Sequence, residues 1–197
     1  MKVEENKKVN ALILAAGNSS RMNAPKPFLN FDQTTTFIEK IITTYQQFGC
    51  DEIVIVANTE SIETIRKFQT ENITIVKNEN LELERFYSVI LGFQKMKDCD
   101  FCFLQDADNP FISKDILTYV FSENLPDQYI IPSYKGKGGH PVLLPESIII
   151  DLKKYQKQNA TLKEFLSEYK NYKLEIPNKD ILININTPED YNFYFNS

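Results

Sequence analysis

The chain has 197 residues, and 42% of them are hydrophobic. This is enough for one sizeable core but leaves little material for a second, so we expect a single domain over residues 1–197. Its 22 basic and 27 acidic residues give a net charge of −5 without a long run of one sign, which argues against a nucleic-acid-binding protein. No apolar stretch approaches the roughly 20 residues of a membrane helix. The polar first eight residues lack the pattern of a signal peptide, so a cytoplasmic protein is expected.

Three cysteines, Cys50, Cys99 and Cys102, are an odd and sparse set for a disulfide framework, which agrees with a reducing compartment. Cys99 and Cys102 form a C-x-x-C motif, but it runs into an apolar segment with a strand pattern, whereas redox motifs usually open a helix. A zinc site would need more ligands than a chain with one histidine and no second cysteine pair offers. The cysteines are therefore interpreted as structural.

The first half of the chain alternates strand and helix patterns. Short apolar runs predict buried strands at residues 11–15, 53–57, 73–76 and 101–104. The first predicted helix has an apolar face from Phe37 to Phe48, begins at a Thr36-x-x-Glu39 capping box and ends at Gly49. Further helices are predicted at residues 61–69, 84–95 and 114–121. This alternation predicts an α/β protein with right-handed βαβ units, a mostly parallel central sheet and helices on both faces.

Beyond Pro126 the order of the elements is looser. Strands are predicted at residues 129–132, 141–144 and 181–185, and helices at residues 147–156, at 162–169 and from Pro188 onward. Three of the six glycines fall at positions 136, 138 and 139. At this turn the backbone needs either unusual freedom or close approach to a ligand.

The first strand leads into a loop that is rich in small and basic residues. Ligands of open parallel sheets bind beyond the carboxyl ends of the strands, so this loop and the residues after Val76, Leu104 and Ile185 are candidates for a site. Residues 14–26 are LAAGNSSRMNAPK. Small residues let backbone amides approach an anion, and Arg21 and Lys26 add positive charge. The loop has neither the P-loop pattern nor G-x-G-x-x-G, and a solvated turn with two surface cations is the alternative.

This stretch resembles the signature L-A-A-G-x-S-x-R-M-x-x-x-K, which opens the MobA-like NTP transferases of the molybdenum-cofactor type and the related sugar and isoprenoid nucleotidyltransferases. The resemblance implies a Rossmann-like three-layer sandwich of the nucleotide-diphospho-sugar transferase type. It also implies a Mg²⁺-dependent enzyme that transfers an NMP group from a nucleoside triphosphate to a phosphorylated acceptor and releases pyrophosphate. The nucleotide-binding positions that it implies are Leu14, Ala15, Ala16, Gly17, Arg21 and Lys26, of which Arg21 and Lys26 are also catalytic.

Residues 78–92 resemble the family segment that lines the base and ribose pocket in relatives. Ser88 keeps the family pattern, and with Asn78 it is expected to bind the nucleotide. Glu84 stands where relatives usually have glycine. The spacing Arg85-x-x-Ser88-Val89 also resembles the isoprenoid-pathway cytidylyltransferases.

Two carboxylates end the fourth predicted strand, in residues 104–111, LQDADNPF. Mg²⁺ takes oxygen ligands, usually one or two carboxylates plus substrate phosphate. The stretch resembles the family's strand-end D-x-P, which implies Asp108 as metal ligand and catalytic residue, with Asp106 as the alternative ligand. The competing interpretation is a turn shaped by Asp, Asn and Pro.

The family's late D-x-D-T-P-E-D motif is NINTPED here, at residues 184–190. The second ligand, Asn184, would therefore coordinate through an amide oxygen, and Asn186 replaces the other aspartate.

Residues 136–142, GKGGHPV, resemble the R-G-x-x-G-H-P-V segment of the molybdenum-cofactor cytidylyltransferases, which faces the acceptor in those relatives. Gly139 and His140 are therefore candidate acceptor-binding residues, with a simple turn before a strand as the alternative.

The L-A-A-G start goes with cytosine in the family, so CTP and molybdopterin are the leading substrates. The rivals are a sugar-, polyol- or isoprenoid-precursor phosphate as acceptor, and a nucleotide-binding regulatory protein without turnover. No nucleic-acid or membrane partner is expected, and the protein is expected to be a monomer or homodimer.

Overall fold

The structure is a computed structural model that describes residues 7–17, 22, 24–156 and 160–195. Within these residues one sheet has eight strands: β1 Val9–Ala15, β2 Glu52–Asn58, β3 Ile73–Asn78, β4 Phe101–Asp106, β5 Tyr129–Tyr134, β6 Lys137–Gly138, β7 Val142–Pro145 and β8 Asn171–Glu175. The helices are α1 Phe37–Phe48, α2 Ile62–Ile65, α3 Glu84–Lys95, α4 Lys114–Glu123, α5 Glu146–Lys154, α6 Leu162–Leu166 and α7 Pro188–Phe195. Short 3-10 turns occupy Lys26–Phe28, Arg66–Phe68, Leu81–Leu83 and Lys179–Leu182.

The sheet is mixed, and its largest part is parallel. In space the strands follow the order β3-β2-β1-β4-β7-β5-β6, with β8 beside β5. The four strands from β3 to β4 are parallel to one another. β7 joins β4 antiparallel, β5 pairs antiparallel with β7 and β6, and β8 runs parallel to β5. The prediction of an α/β protein with a mostly parallel sheet is confirmed.

Helices cover both faces of the sheet because successive side chains of a strand point to opposite faces. Ile13 of β1 belongs to a buried cluster with Ile41 of α1 and Leu117 of α4. Its neighbour Leu12 belongs to a second buried cluster, with Val89 of α3 and Leu152 of α5. The result is a three-layer arrangement of helices, sheet and helices.

Helix α3 packs very closely on the sheet. A Cβ atom at Gly92 would lie 2.4 Å from Cδ1 of Leu12 on β1, so a larger residue would require Leu12 or the helix to shift. Helix α3 also carries Arg85 and Ser88.

The predicted strand at residues 181–185 is wrong. Ile181 lies in a 3-10 turn, and the chain after Leu182 is irregular. Its backbone bonds to turns instead of to a strand: the amide of Ile185 donates to the carbonyl of Asp108 at 2.8 Å, and the carbonyl of Ile181 accepts from the amide of His140 at 2.9 Å. The apolar pattern of this segment therefore reflects packing against two turns.

Other differences concern weak patterns. Strand β8 was not predicted because only Leu174 is buried among its five residues, so it lacks an apolar run. The predicted helix at residues 61–69 is divided into α2 and a 3-10 turn, and the helix expected to reach residue 169 ends at Leu166. No helix in the described part of the chain combines the length and apolar character needed to cross a membrane.

Candidate active site

A cavity opens beyond the carboxyl ends of β1, β3 and β4, where parallel sheets bind ligands. Its walls come from the loop after β1, the segment after β3, the start of α3 and the end of β4. Among the residues predicted for the site, those lining it are Leu14, Ala15, Ala16, Gly17, Lys26, Asn78, Ser88, Asp106 and Asp108. The fold therefore brings segments that are far apart in the sequence to one place.

Lys26 and Asp108 are in contact at this cavity. The Nζ atom of Lys26 lies 3.3 Å from Oδ2 of Asp108. The same Nζ atom donates to Oδ1 of Asn186 at 2.6 Å. Both partners of the ion pair are largely buried, with 16% of the Lys26 side chain and 24% of the Asp108 side chain exposed. A cation, a carboxylate and an amide oxygen thus meet at one point.

The start of α7 fixes the position of Asn186. Oδ2 of Asp190 accepts from the amides of Asn186 and Thr187, both at 2.9 Å, and the amide of Asp190 donates to Oγ1 of Thr187 at 3.2 Å. Asn184, the residue predicted as second metal ligand, is exposed, and its Oδ1 atom lies 3.5 Å from Nδ2 of Asn109. The structure therefore brings Asn186, and not Asn184, to Lys26.

Asp106 carries a bidentate ion pair. Nε and Nη2 of Arg85 donate to its two carboxylate oxygens at 2.9 and 2.8 Å. Nδ1 of His140 lies 3.7 Å from Oδ2 of Asp106, which is too far for a hydrogen bond, and it has no hydrogen-bond partner among the described residues. Arg85 bonds to both oxygens of Asp106, whereas Lys26 contacts only Oδ2 of Asp108, so Oδ1 of Asp108 is the carboxylate oxygen more available to a metal ion.

The two carboxylates also differ in pKa. Burial raises the pKa of Asp106, but Arg85 together with His140 and Lys26 outweighs burial, and the pKa is lower than usual. For Asp108, burial and the negative charge of Asp106 outweigh Lys26, and the pKa is raised. A cation at Asp108 would relieve this unfavourable charge.

The oxygen donors at this point suit a hard cation whose remaining ligands come from a substrate. Among the described residues, no three His, Cys, Asp or Glu side chains come together to hold a metal by themselves. Mg²⁺, however, is usually bound by only one or two carboxylates, with phosphate and water supplying the other ligands. Asp108 and the amide oxygen of Asn186 meet this requirement.

Asn58 supports the loop after β1 and was not recognised from the sequence. It is buried at the end of β2, and its Nδ2 atom lies 3.4 and 3.5 Å from the carbonyl oxygens of Ala16 and Gly17. Its Oδ1 atom accepts from the amide of Ser61 at 2.8 Å. The available signal was a polar residue at the end of an otherwise apolar strand.

Gln105 supports the turn that carries both aspartates, and it too was missed. It is fully buried, and its Nε2 atom donates to the carbonyls of Asp106 and Asn109 at 2.8 and 2.9 Å. Its Oε1 atom accepts from the hydroxyl of Tyr45 at 3.2 Å. A glutamine inside an apolar strand was the signal that could have revealed it.

The predicted acceptor residues Gly139 and His140 lie in the loop between β6 and β7, beside the cavity but not in its lining. The amide of Gly139 donates to the carbonyl of Pro132 at 2.7 Å. A Cβ atom at Gly139 would lie only 2.3 Å from the carbonyl oxygen of Ile181, so the close approach requires glycine. Burial lowers the pKa of His140, although Asp106 acts in the opposite direction, so the neutral imidazole is favoured.

Residues 11–172 match the family model described as the MobA-like NTP transferase domain. The chain belongs to this family. As a MobA-like NTP transferase it is an enzyme of the nucleotidyltransferase class, as the resemblance implied. Arg21, the remaining residue of the predicted phosphate loop, lies outside the described residues, so its role stays a prediction.

Two relatives of this MobA-like NTP transferase are cytidylyltransferases. The molybdenum cofactor cytidylyltransferase of Escherichia coli (strain K12) is 30% identical over 185 residues, which cover 93% of each chain. The 2-C-methyl-D-erythritol 4-phosphate cytidylyltransferase of Fusobacterium nucleatum is 29% identical over 195 residues, which cover 96% of this chain and 74% of the relative. A crystal structure of a Mycobacterium tuberculosis H37Rv protein in complex with manganese shares the fold, with a TM-score of 0.79 at 15% identity, covering 97% of this chain and 99% of the other.

Proposed function

We propose that this MobA-like NTP transferase uses CTP and Mg²⁺ to transfer CMP to a phosphorylated acceptor, with molybdopterin as the leading acceptor. The observation that supports this most is the 3.3 Å separation of the Lys26 ammonium and the Asp108 carboxylate in the cavity lined by Leu14 to Gly17. The ammonium suits phosphate and the carboxylate suits a divalent cation. A metal–triphosphate complex presents both partners side by side.

In the proposed step, a phosphate oxygen of the acceptor attacks the α-phosphorus of CTP in line with the leaving group. The bond from that phosphorus to the oxygen bridging the β-phosphorus breaks, and its electron pair leaves with pyrophosphate. The reaction needs no side-chain nucleophile, because the acceptor oxygen is itself the nucleophile. Lys26, with Arg21 as an expected second cation, would neutralise charge while the cavity aligns the substrates. Asp108 and Asn186 would hold Mg²⁺, which when bound supplies charge neutralisation and Lewis acidity at phosphate oxygens.

The backbone of the loop after β1 is suited to an anion. The side chain of Asn58 contacts the carbonyl oxygens of Ala16 and Gly17. These partly negative oxygens therefore need not face the phosphates. The small side chains at both positions leave room for close approach of the triphosphate.

Gly139 and His140 are proposed to bind the acceptor. A neutral imidazole can donate one hydrogen bond to a phosphate or a ring carbonyl without adding a second buried charge. The amide of His140 donates to the carbonyl of Ile181 at 2.9 Å, and its Nδ1 atom lies 3.7 Å from Oδ2 of Asp106.

The second candidate is cytidylyl transfer to a sugar-, polyol- or isoprenoid-precursor phosphate. It is favoured by Arg85, which stands three residues before Ser88 as in the isoprenoid-pathway enzymes and lies at the cavity beside Asp106. The Fusobacterium nucleatum relative is named for such an acceptor, 2-C-methyl-D-erythritol 4-phosphate.

Pyrophosphate release tests these proposals. The protein is supplied with Mg²⁺, each of the four NTPs in turn, and molybdopterin, 2-C-methyl-D-erythritol 4-phosphate or a sugar phosphate. We expect release to depend on CTP and on one acceptor, and to be fastest with molybdopterin. Tight CTP binding without pyrophosphate for any acceptor would instead support a regulatory nucleotide-binding protein.

We also propose that the protein acts in the cytoplasm as a monomer or homodimer. Cys50, Cys99 and Cys102 are all free and buried, which suits a reducing compartment. Light scattering of the purified protein measures the oligomeric state.

A further inference from the structure

Glu84 has a backbone conformation that is rare for any residue with a side chain. Its φ is 59° and its ψ is −169°. Glycine adopts this conformation easily, whereas other residues avoid it because the Cβ atom is crowded. Glu84 joins the 3-10 turn Leu81–Leu83 to α3, and its amide donates to the carbonyl of Leu81. A glycine at this position would make the same turn without strain.

The strained residue belongs to the candidate active site. Glu84 lines the same cavity as Asn78, Arg85 and Ser88. Backbone strain of this kind is concentrated at ligand-binding positions, where surrounding structure holds it for a functional reason. We therefore relate the strain at Glu84 to the ligand of the cavity.

The charge of Glu84 restricts which part of a nucleotide it can face. A carboxylate repels phosphates, and the described contacts of Lys26, the residue proposed to bind them, are with Asp108 and Asn186. The neighbouring Arg85 directs its guanidinium at Asp106. An ionised carboxylate only accepts hydrogen bonds, so its partner must be an N–H or O–H donor. A nucleoside offers such donors as an exocyclic amine on the base and as hydroxyls on the ribose.

We propose that Glu84 is a specificity-determining residue, whose carboxylate accepts a hydrogen bond from a donor of the nucleoside half of the substrate. The inference rests on the proposed use of a nucleoside triphosphate. It assigns a purpose to the strained backbone: the position keeps a side chain, at a cost in stability, because the carboxylate selects the nucleotide. The 4-amino group of cytosine and the ribose hydroxyls are the two possible donors.

Two substitutions distinguish the effect of the Glu84 carboxylate from the effect of the backbone strain. Glu84→Ala removes the carboxylate but keeps the crowded Cβ atom, whereas Glu84→Gly removes both. Dissociation constants of the full chain are measured for CTP, UTP and 2′-deoxy-CTP, together with Tm. Glu82→Ala is the matched control, because Glu82 is exposed in the preceding 3-10 turn and does not line the cavity.

We expect Glu84→Ala and Glu84→Gly to reduce the preference for CTP over UTP, or over 2′-deoxy-CTP, by about tenfold or more, the effect of losing a hydrogen bond to a charged group. Loss of the first preference identifies the amine as the donor, and loss of the second identifies the ribose. Only Glu84→Gly should raise Tm, by about 2 °C or more, because it alone relieves the strain. Glu82→Ala should leave both preferences unchanged.

Unchanged preferences in Glu84→Ala, with CTP still bound and turned over, would overturn the inference and leave the proposed function standing. Failure of the wild-type protein to bind any NTP would overturn the proposed function itself. Should Glu84→Ala fail to fold, Glu84→Gln carries the test, since it keeps the size and loses the charge. A smaller fall in preference is then expected, and no fall counts against the inference.

Discussion

The Nζ atom of Lys26 lies 3.3 Å from Oδ2 of Asp108, although 82 positions separate the two residues in the chain. Lys26 follows β1 and Asp108 follows β4, and these strands are parallel neighbours in the sheet. Parallel pairing places the carboxyl ends of both strands at the same edge, so the sheet topology accounts for the contact. Asn186 reaches the same ammonium from the segment before α7.

Removing either partner should abolish most of the activity. Lys26→Ala and Asp108→Ala are each expected to lower kcat/KM by at least about a hundredfold, because a pre-organised charge opposite the triphosphate or its metal is lost. Pyrophosphate release measures the effect. Lys67→Ala, at an exposed lysine of the 3-10 turn Arg66–Phe68, is the control and should keep the rate. Unaltered turnover in Lys26→Ala or Asp108→Ala would remove that residue from the site.

Asp108→Asn should separate activity from stability. The folded-state pKa of Asp108 is raised by burial and by Asp106, so at pH 7 ionisation of Asp108 costs more in the folded than in the unfolded state. A neutral amide avoids this cost and can still accept from Lys26, so Tm measured without metal should rise while pyrophosphate release falls. A lower Tm at pH 7 would show that the ion pair with Lys26 outweighs the repulsion.

Gly139→Ala should weaken acceptor use specifically. The new Cβ atom would lie 2.3 Å from the carbonyl oxygen of Ile181, so the loop that carries His140 must move. A shift of about 1 Å can cost up to a hundredfold in rate, and we expect the KM for the acceptor to rise at least about tenfold with little change in the KM for CTP. Gly138→Ala is the control, because its Cβ atom meets only a side-chain methyl group of Ile131, at 3.0 Å. Equal effects of the two substitutions would contradict a positioning role for Gly139.

His140 should make stability depend on pH. Burial lowers its folded-state pKa below the ordinary value of about 6.5, so the unfolded state takes up a proton first as the pH falls. The stability due to the neutral imidazole is therefore present above about pH 6.5 and is lost below it. The Tm of the wild type should therefore fall relative to that of His140→Gln as the pH is lowered from about 7.5 to 5. If the Tm values of the two proteins changed in parallel with pH, His140 would not be the cause of the pH dependence.

The strand ends could be predicted because each buried strand is an apolar run that stops abruptly. That rule pointed to the segments after Ala15, Val76, Leu104 and Ile185, and the first three line the cavity. The fourth does not follow a strand in the structure. The resemblance then selected Lys26 and Asp108, which the structure brings into contact. Their chemical roles stay predictions until activity is measured.

The remaining features depend on contacts that no local pattern contains. The contact of Asn186 with Lys26 depends on an irregular segment whose backbone bonds to two distant turns, although its residues alternate like a strand. Asn58 and Gln105 act on loops that become their neighbours only in the folded sheet. The positive φ of Glu84 could not be predicted, because glutamate disfavours that conformation.

The most direct test is a crystal structure with CTP and Mn²⁺, in which anomalous scattering locates the metal. We predict the nucleotide in the cavity, a metal peak about 2.2 Å from a carboxylate oxygen of Asp108 and a phosphate oxygen about 3 Å from the Lys26 ammonium. CTP bound outside this cavity, or a metal ion away from Asp108, would contradict the proposed site.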